Sequence, residues 1–158
     1  GAMLVREPDT DRKTTREALQ LCRIPDPRLV SDRQGIVWNF PAARKGRFET
    51  ECRIDGEGFR LALTDHWINP SDETNPQLSP VSFEVTGRQL ERGKWRHLVC
   101  EWDCDTGRAT VRDGEAVIAE VKLQSVPKFG LSYLHLQTLA TGFDPKGAYF
   151  RSFAMTAE

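Results

Sequence analysis

From residue 36 onward, apolar and polar residues alternate with a period of two, and this alternation constrains the fold more than any other feature of the sequence. In residues 47–54, the even-numbered positions carry Phe, Thr, Cys and Ile, whereas the odd-numbered positions carry Arg and Glu. Successive side chains of a β-strand point to opposite faces of its sheet, so this pattern indicates strands with one buried and one solvated face. Sustained helical periodicity is almost absent. The sequence therefore predicts an all-β fold.

Turn-forming residues divide the alternating part of the chain into short strands. Residues 55–58, Asp-Gly-Glu-Gly, predict a tight turn, and further turns are predicted at residues 105–107 and 113–114. Residues 69–80 contain three prolines and show no alternation, so they predict an irregular loop. The predicted strands are 47–54, 59–63, 81–85, 94–104, 108–112, 115–123, 132–139 and 148–155, the last two joined by a loop at 143–147. Roughly nine to twelve strands with turns at this spacing predict two packed antiparallel sheets.

The N-terminal region is compatible with more than one structure. Residues 15–22 fit either one or two helical turns or an edge strand that leads into a loop at residues 24–27. Residues 1–3, Gly-Ala-Met, resemble the remnant of a protease-cleavage site, and we expect residues 4–158 to form a single domain. No apolar run approaches the roughly 20 residues of a membrane helix. The formal net charge is −1, with no basic block, so neither a membrane nor a nucleic acid is expected as a partner.

The four cysteines, Cys22, Cys52, Cys100 and Cys104, show no Cys-x-x-Cys spacing of the kind found in zinc sites and redox motifs. Cys100 and Cys104 fall in one predicted strand, about 13 Å apart at ~3.3 Å per residue, which is beyond the reach of a disulfide. We therefore expect all four thiols to be free and buried.

Residues 101–105, Glu-Trp-Asp-Cys-Asp, place three carboxylates at alternate positions of a predicted strand. Trp102 should point into the core, and Glu101 and Asp103 away from it. Retaining glycoside hydrolysis needs two carboxyl groups about 5–5.5 Å apart, a distance that alternate side chains of one strand can reach. However, Asp105 opens the predicted turn, where an aspartate commonly accepts backbone N–H bonds. The sequence therefore favours a solvated strand face that runs into a turn over a catalytic pair.

A second candidate group follows the predicted strand 59–63 and consists of three polar residues, Asp65, His66 and Asn69, and the aromatic residue Trp67. A protein can bind a saccharide by stacking an aromatic ring on the apolar side of the sugar and matching its hydroxyls with polar groups. Trp67 could supply the ring, and the other three residues the hydrogen bonds. Alternatively, Trp67 fills the core at a strand end while Asp65 and Asn69 cap a turn.

A later predicted strand carries the remaining candidate binding residues, because Tyr133, His135 and Gln137 share one of its faces. A polar strand face is typical of a ligand-binding groove, and equally of any solvated sheet. Arg151 and His97 would join this face if their strands lay beside it. The sequence leaves the neighbours of these strands undetermined.

One stretch carries a family resemblance. Residues 93–123, GKWRHLVCEWDCDTGRATVRDGEAVIAEVKL, resemble the hairpin pair of concanavalin A-like lectin and glucanase jelly rolls, a group that includes laminin G-like domains. The matching positions are Gly93, Lys94, Trp95, Leu98, Trp102, Val111, Asp113, Gly114 and Glu115. Residues 37–41, 63–67 and 130–155 further resemble the jelly-roll module appended to bacterial sialidase-like β-propeller glycoside hydrolases. The resemblance implies a two-sheet antiparallel jelly-roll sandwich whose concave face or rim loops commonly hold carbohydrate.

The resemblance implies several functions, and the fold alone does not choose among them. We expect a non-catalytic carbohydrate-binding or accessory module of a bacterial glycan-processing protein. Its ligand would be an oligosaccharide or polysaccharide, and a neighbouring catalytic domain is a further candidate partner. One alternative is a small glycoside hydrolase or polysaccharide lyase that uses Glu101, Asp103 and His135 in the concave cleft. The other is a structural or protein-interaction domain that binds no sugar.

Residues 101–105 are similar to the Glu-x-Asp-x-Glu strand of laminarinase and lichenase-type glucanases, but they lie in a later hairpin and end in a shorter carboxylate. No cofactor is expected, although some relatives bind calcium through loop oxygens, for which Asp72 and Asp144 are the candidate ligands. The sequence does not determine the cellular location of the protein. A signal peptide in the native protein would imply an extracellular or periplasmic location, and free cysteines also permit the cytoplasm.

Overall fold

The computed structural model describes residues 2–9, 14–26, 28, 35–70 and 75–158, and these residues form eleven strands and one short helical turn. The strands are β1 (Met3–Asp9), β2 (Thr14–Arg23), β3 (Gly35–Ala43), β4 (Lys45–Ile54), β5 (Phe59–Thr64), β6 (Val81–Val85), β7 (Arg96–Asp103), β8 (Arg108–Asp113), β9 (Ala116–Lys122), β10 (Leu131–Thr138) and β11 (Asp144–Ala157). The helical turn, α1, is Asn75–Leu78. Within the described part of the chain, no helix has the length and apolar character needed to span a membrane.

Two antiparallel sheets form a β-sandwich, as the alternating sequence predicts. The larger sheet has seven strands in the order β1-β2-β11-β4-β7-β8-β9, and the smaller sheet has four in the order β3-β10-β5-β6. The core lies between them and contains the apolar set of alternate residues from each strand. At its centre, the rings of Phe59 and Phe150 meet edge to face, with centroids 4.7 Å apart. Trp102 is also buried in this core, as its position in the alternation predicts.

The strand interpretation of the N-terminal region is confirmed, but the predicted edge position is wrong. Leu19 of β2 pairs with Leu4 of β1 on one side and with Phe150 of β11 on the other. β2 is therefore an interior strand, and β1 forms the edge of the sheet. The sequence pattern of β2 alone could not reveal this arrangement, because its two partners come from opposite ends of the chain.

Residues 143–147 are predicted as a loop, whereas in the structure β11 already begins at Asp144. The pairing with β2 shifts register between Asp144 and Ala148, so the segment is an irregular strand start. Gly147 has φ 59° here, and a Cβ at this position would lie 1.8 Å from the carbonyl oxygen of Leu21. Only glycine fits such a close approach in the left-handed region. The segment therefore has a loop-like composition within a strand.

All four cysteines are free and buried, which confirms the expectation from their spacing. Burial raises the pKa of the Cys52 thiol to about 12 and that of the Cys100 thiol to about 12. A thiol needs to ionise before it can act as a nucleophile or a metal ligand. These cysteines therefore behave as small apolar residues of the core.

Candidate functional site

The polar residues predicted on β10 do share one face of their strand. Tyr133, His135 and Gln137 point away from the core, whereas Leu134 and Leu136 are fully buried within it. β10 lies between β3 and β5 in the smaller sheet, and its outward residues therefore stand in rows with outward residues of both neighbours.

Much of this face is covered by the segment that follows β5. The Gln137 amide donates a hydrogen bond to the carbonyl oxygen of Pro70 (2.9 Å), and Gln137 is only 2% exposed. His135 is equally buried, at 2% exposed, with its Nε2 3.2 Å from the hydroxyl of Thr64. Tyr133 is half-buried and stays accessible. Of the three predicted β10 residues, the structure therefore leaves only Tyr133 within reach of a ligand.

The end of β5 presents a more accessible group of side chains. Asp65 and His66 are both exposed, and their Oδ1 and Nδ1 atoms lie 2.7 Å apart. Trp67 is 61% exposed, so the alternative that it fills the core is wrong. The exposed Asn69 follows two residues later.

Hydrogen bonds hold this strand end against its neighbours. The Thr64 hydroxyl donates to the carbonyl oxygen of His66 (2.5 Å), and the Ser132 hydroxyl donates to that of Asp65 (3.4 Å). On the far side of β10, the Asn39 amide donates to the carbonyl oxygen of Ser132 (3.1 Å). We name this surface the β5-end patch and define it by Asn39, Asp65, His66, Trp67 and Tyr133.

The two candidates whose place depended on strand order, Arg151 and His97, lie elsewhere. Arg151 belongs to β11 and His97 to β7, and both strands are in the larger sheet. Arg151 points outward there, and its Nε donates to Glu51 Oε2 at 2.7 Å. The condition under which Arg151 would join the β10 residues is therefore not met, and Arg151 is not part of this candidate binding face. The sequence could not decide this, because strand order in a sandwich depends on long-range pairing.

The carboxylates of residues 101–105 point outward as predicted, but cations neutralise them. Glu101 lies between two arginines, with Oε1 3.0 Å from Arg47 Nη1 and Oε2 3.4 Å from Arg112 Nε. Asp105 pairs with Arg44 at 2.6 Å, and this hydrogen bond holds the pKa of the Asp105 carboxyl below its usual value.

The acceptor of the turn amides is Asp103 and not Asp105, which corrects the sequence prediction. Asp103 Oδ1 accepts hydrogen bonds from the backbone N–H groups of Asp105 (2.8 Å) and Thr106 (3.2 Å). Burial raises the pKa of Asp103, but these bonds and Lys45 outweigh it, so the net shift is downward. A general acid in glycoside hydrolysis needs a raised pKa. Asp103 therefore lacks the property that an acid catalyst requires.

The three residues of the enzyme alternative do not share a site. Glu101 and Asp103 lie on the outer face of the seven-stranded sheet, and His135 lies on the outer face of the four-stranded sheet. The hydrophobic core separates the two faces. Burial lowers the pKa of His135 to about 4, so its imidazole is neutral near pH 7. A mechanism that uses these three side chains together is therefore incompatible with the fold.

One of the two candidate calcium ligands lies within the described part of the chain. Asp72 lies outside the described residues. Asp144 is 7% exposed, and its two carboxylate oxygens accept hydrogen bonds from the backbone N–H groups of Gly147 (3.0 Å) and Glu57 (2.9 Å). Among the residues that the structure describes, no group of three or more His, Cys, Asp and Glu residues could hold a metal ion. The Asp144 carboxylate thus has a structural function.

Sequence reasoning missed two residues on the outer faces. Asn39 faces Tyr133 across the β3–β10 pairing, and the alternation of β3 around the buried Phe40 could have placed it outward. Trp95 is half-buried on the larger sheet, with the guanidinium groups of Arg53 and Arg151 over its ring. Trp95 and Glu101 both occupy odd-numbered positions, so the alternation that points Glu101 outward also predicts an outward Trp95. The apolar character of tryptophan favours the core and so hides this signal.

Comparisons with known proteins add independent information on the fold. No protein-family model matches the sequence, and no curated protein sequence matches it. The chain is similar in structure to a sialidase, with 11% identity and a TM-score of 0.61 over 89% of this chain and 15% of the sialidase. It is also similar to an endo-β-1,4-glucuronan lyase from the fungus Trichoderma reesei, with 9% identity and a TM-score of 0.55 over 99% of this chain and 87% of the lyase.

A third similar structure is the exoplasmic/lumenal domain of VIP36 in a Ca2+/Man3GlcNAc-bound form, with 12% identity and a TM-score of 0.55 over 98% of this chain and 81% of that domain. At such identities, the likeness concerns the fold alone. The chain spans about 15% of the length of the sialidase. Together with the two antiparallel sheets described above, these likenesses establish that the chain folds as a concanavalin A-like jelly roll.

Proposed function

We propose that this chain is a non-catalytic carbohydrate-binding module of a larger bacterial glycan-processing protein, and that the β5-end patch binds the sugar. The observation that carries the proposal is the exposure of Trp67, at 61%, directly after the paired and exposed Asp65 and His66. An exposed aromatic ring beside hydrogen-bonding groups is the arrangement that can bind a saccharide, since the ring stacks on the sugar and the polar groups bond to its hydroxyls.

The polar groups of the patch suit the hydroxyls of a sugar. The contact between Asp65 and His66 uses one carboxylate oxygen and the Nδ1 atom, so the other oxygen of Asp65 and the Nε2 atom of His66 can serve a ligand. The Asn39 amide donates to Ser132, which fixes the side chain and leaves its carbonyl oxygen as an acceptor. Tyr133 adds a second aromatic ring and a hydroxyl between the two strands.

The folds of the similar proteins support this proposal, because a sialidase, a glucuronan lyase and a domain in a Ca2+/Man3GlcNAc-bound form share the jelly roll. The small share of the sialidase that this chain matches supports an accessory function. A chain that corresponds to about 15% of a sialidase can be one module beside a separate catalytic domain. The charge-neutralised Glu101 and the separation of His135 from it favour this interpretation over a hydrolase or lyase.

The proposal is tested by screening the protein on a glycan array and measuring the affinity of each hit by calorimetry, with and without calcium. Trp67→Ala should weaken binding at least about tenfold, which corresponds to ~1.4 kcal/mol. Asp65→Asn and His66→Ala should each weaken it less, because each removes one polar partner and leaves the ring.

A matched control is Phe143→Ala. Phe143 is also an exposed aromatic residue, at 69%, but it precedes β11 at the opposite end of β10 from the patch. Its replacement should leave the affinity unchanged. The absence of binding to any glycan, or an equal loss in the Trp67 and Phe143 variants, would contradict the proposal.

A further inference from the structure

Two cations face each other at the open edge of the larger sheet. Arg108 of β8 and Lys122 of β9 are direct partners in the antiparallel pairing. Both side chains point outward, because the neighbouring Ala109 of β8 is buried in the core. Directly opposed like charges on one face of a sheet destabilise it. The pair therefore costs the protein stability unless something compensates for the charge.

Nothing in the described part of the chain compensates for it. Arg108 and Lys122 are both exposed, and neither makes an ion pair or a side-chain hydrogen bond with another described residue. Elsewhere on this face, outward arginines have carboxylate partners, as Arg47 has in Glu49 and Arg151 has in Glu51. The opposed pair is thus an exception to the charge balance of its own sheet.

Of the two neighbouring carboxylates, one already has other partners and the other lies opposite Thr110 rather than opposite a cation. Asp103 is the β7 partner of Arg108, but its carboxylate contacts Lys45 (3.2 Å) and the amides of the turn that follows it. Glu120 lies two residues before Lys122 on the same strand face, opposite Thr110, and it makes no ion pair with a described residue. With one free carboxylate against two cations, the surface keeps an excess positive charge.

The same residues line an open concavity of about 570 Å³, a volume that suits a small organic ligand. Its lining includes Thr106, Arg108, Thr110, Glu120, Lys122 and Val126. Val126 is 53% exposed and contributes an apolar side chain to this lining. The concavity therefore combines positive charge, hydroxyl groups and an apolar surface.

We propose that this concavity binds the anionic group, a carboxylate or a sulfate, of a small hydroxylated ligand. The anion lies between Arg108 and Lys122, where two charge-assisted hydrogen bonds hold it. Hydroxyls of the ligand bond to Thr110 and Glu120, and its apolar side packs on Val126. The site is on the opposite sheet from the β5-end patch, so it stands whether or not that patch binds a sugar.

The test uses the whole chain and three probes, glucuronate, glucose 6-sulfate and glucose, titrated by NMR at low ionic strength. The two anionic probes should shift the amide resonances of β8 and β9, the neutral one should not, and added salt should weaken the binding. The relative strength of the two anionic probes distinguishes a carboxylate site from a sulfate site. Arg108→Gln and Lys122→Gln should each weaken binding at least about fivefold.

Stability provides a second readout that does not depend on the choice of probe. Because Lys122→Gln removes the repulsion, it should raise the melting temperature of the free protein by about 1–3 °C. The control Lys94→Gln replaces an exposed lysine elsewhere that pairs with Glu91. It should not weaken binding of the anionic probes, and it should not raise the melting temperature. An equal response to all three probes, no response to either anionic probe, or an equal loss of binding in the control variant would overturn the proposal.

Discussion

At the scale of single residues, His135 combines a polar side chain with nearly complete burial. Its imidazole lies beside Thr64 and Tyr133 and senses the charge of His66, and its Nδ1 has no hydrogen-bond partner among the described residues. Burial lowers its pKa to about 4 from an ordinary value of 6.5, because the charged form loses its hydration. The folded state therefore binds a proton at this site less readily than the unfolded state.

This difference predicts a pH dependence of stability. Between pH 6.5 and about 4, the unfolded chain binds more protons at His135, so stability is complete above this window and falls as the pH decreases through it. The loss from this residue should be about 2–3 kcal/mol by about pH 4.5. Urea unfolding at both ends of the window should show a smaller loss in His135→Asn than in the parent protein.

The control for this prediction is His97→Gln. His97 is exposed and pairs with Glu49 at 2.9 Å, so its replacement leaves the buried imidazole in place. A pH profile that is identical in the parent protein and in His135→Asn would show that His135 is not the titrating group.

At the scale of secondary structure elements, one carboxylate connects strands that are distant in sequence. Asp144 begins β11 and bonds to backbone amides of Glu57, in the β4–β5 turn, and of Gly147. Removing a buried acceptor leaves such amides unsatisfied, which costs about 1–3 kcal/mol. Asp144→Ala should therefore lower the free energy of unfolding by this amount in chemical denaturation.

Asp105→Ala is the matched comparison, since it also removes an aspartate. Asp105 is exposed and pairs only at the surface, so its loss should cost less than about 1 kcal/mol. Similar costs for the two variants would contradict the structural function given to Asp144.

The elements also show what the sequence can predict. Alternation placed β4 to β10 correctly to within a few residues, because one face of each strand is buried and the period of a strand is two. It also placed Tyr133, His135 and Gln137 on one face. It could not predict that Pro70 folds back over Gln137, or that Arg151 lies in the other sheet, because both depend on contacts between distant segments.

At the scale of the whole molecule, the four cysteines are distributed through the core and none is accessible. Since the pKa values of Cys52 and Cys100 are raised to about 12, these thiols are not ionised near neutral pH. A thiol-specific reagent at about pH 8 should therefore react negligibly with the folded protein and with all four cysteines after denaturation.

The rate of this reaction should follow global unfolding, because the cysteines lie on β2, β4, β7 and the turn after β7. A mild reductant should leave the melting temperature unchanged. Rapid modification of even one cysteine in the native protein would show that part of the sandwich opens locally.

The four tryptophans lie in four different surroundings, and this has a practical consequence. Trp102 is enclosed in the core beside Phe40, and Trp95 lies under two guanidinium groups. Trp38 packs edge to face on Phe153, and Trp67 is exposed to solvent. The emission of an indole shifts with the polarity around it, so the spectrum contains separable contributions. Without any attached dye, the protein therefore contains one fluorophore that reports on the proposed sugar-binding surface and another that reports on the integrity of the core.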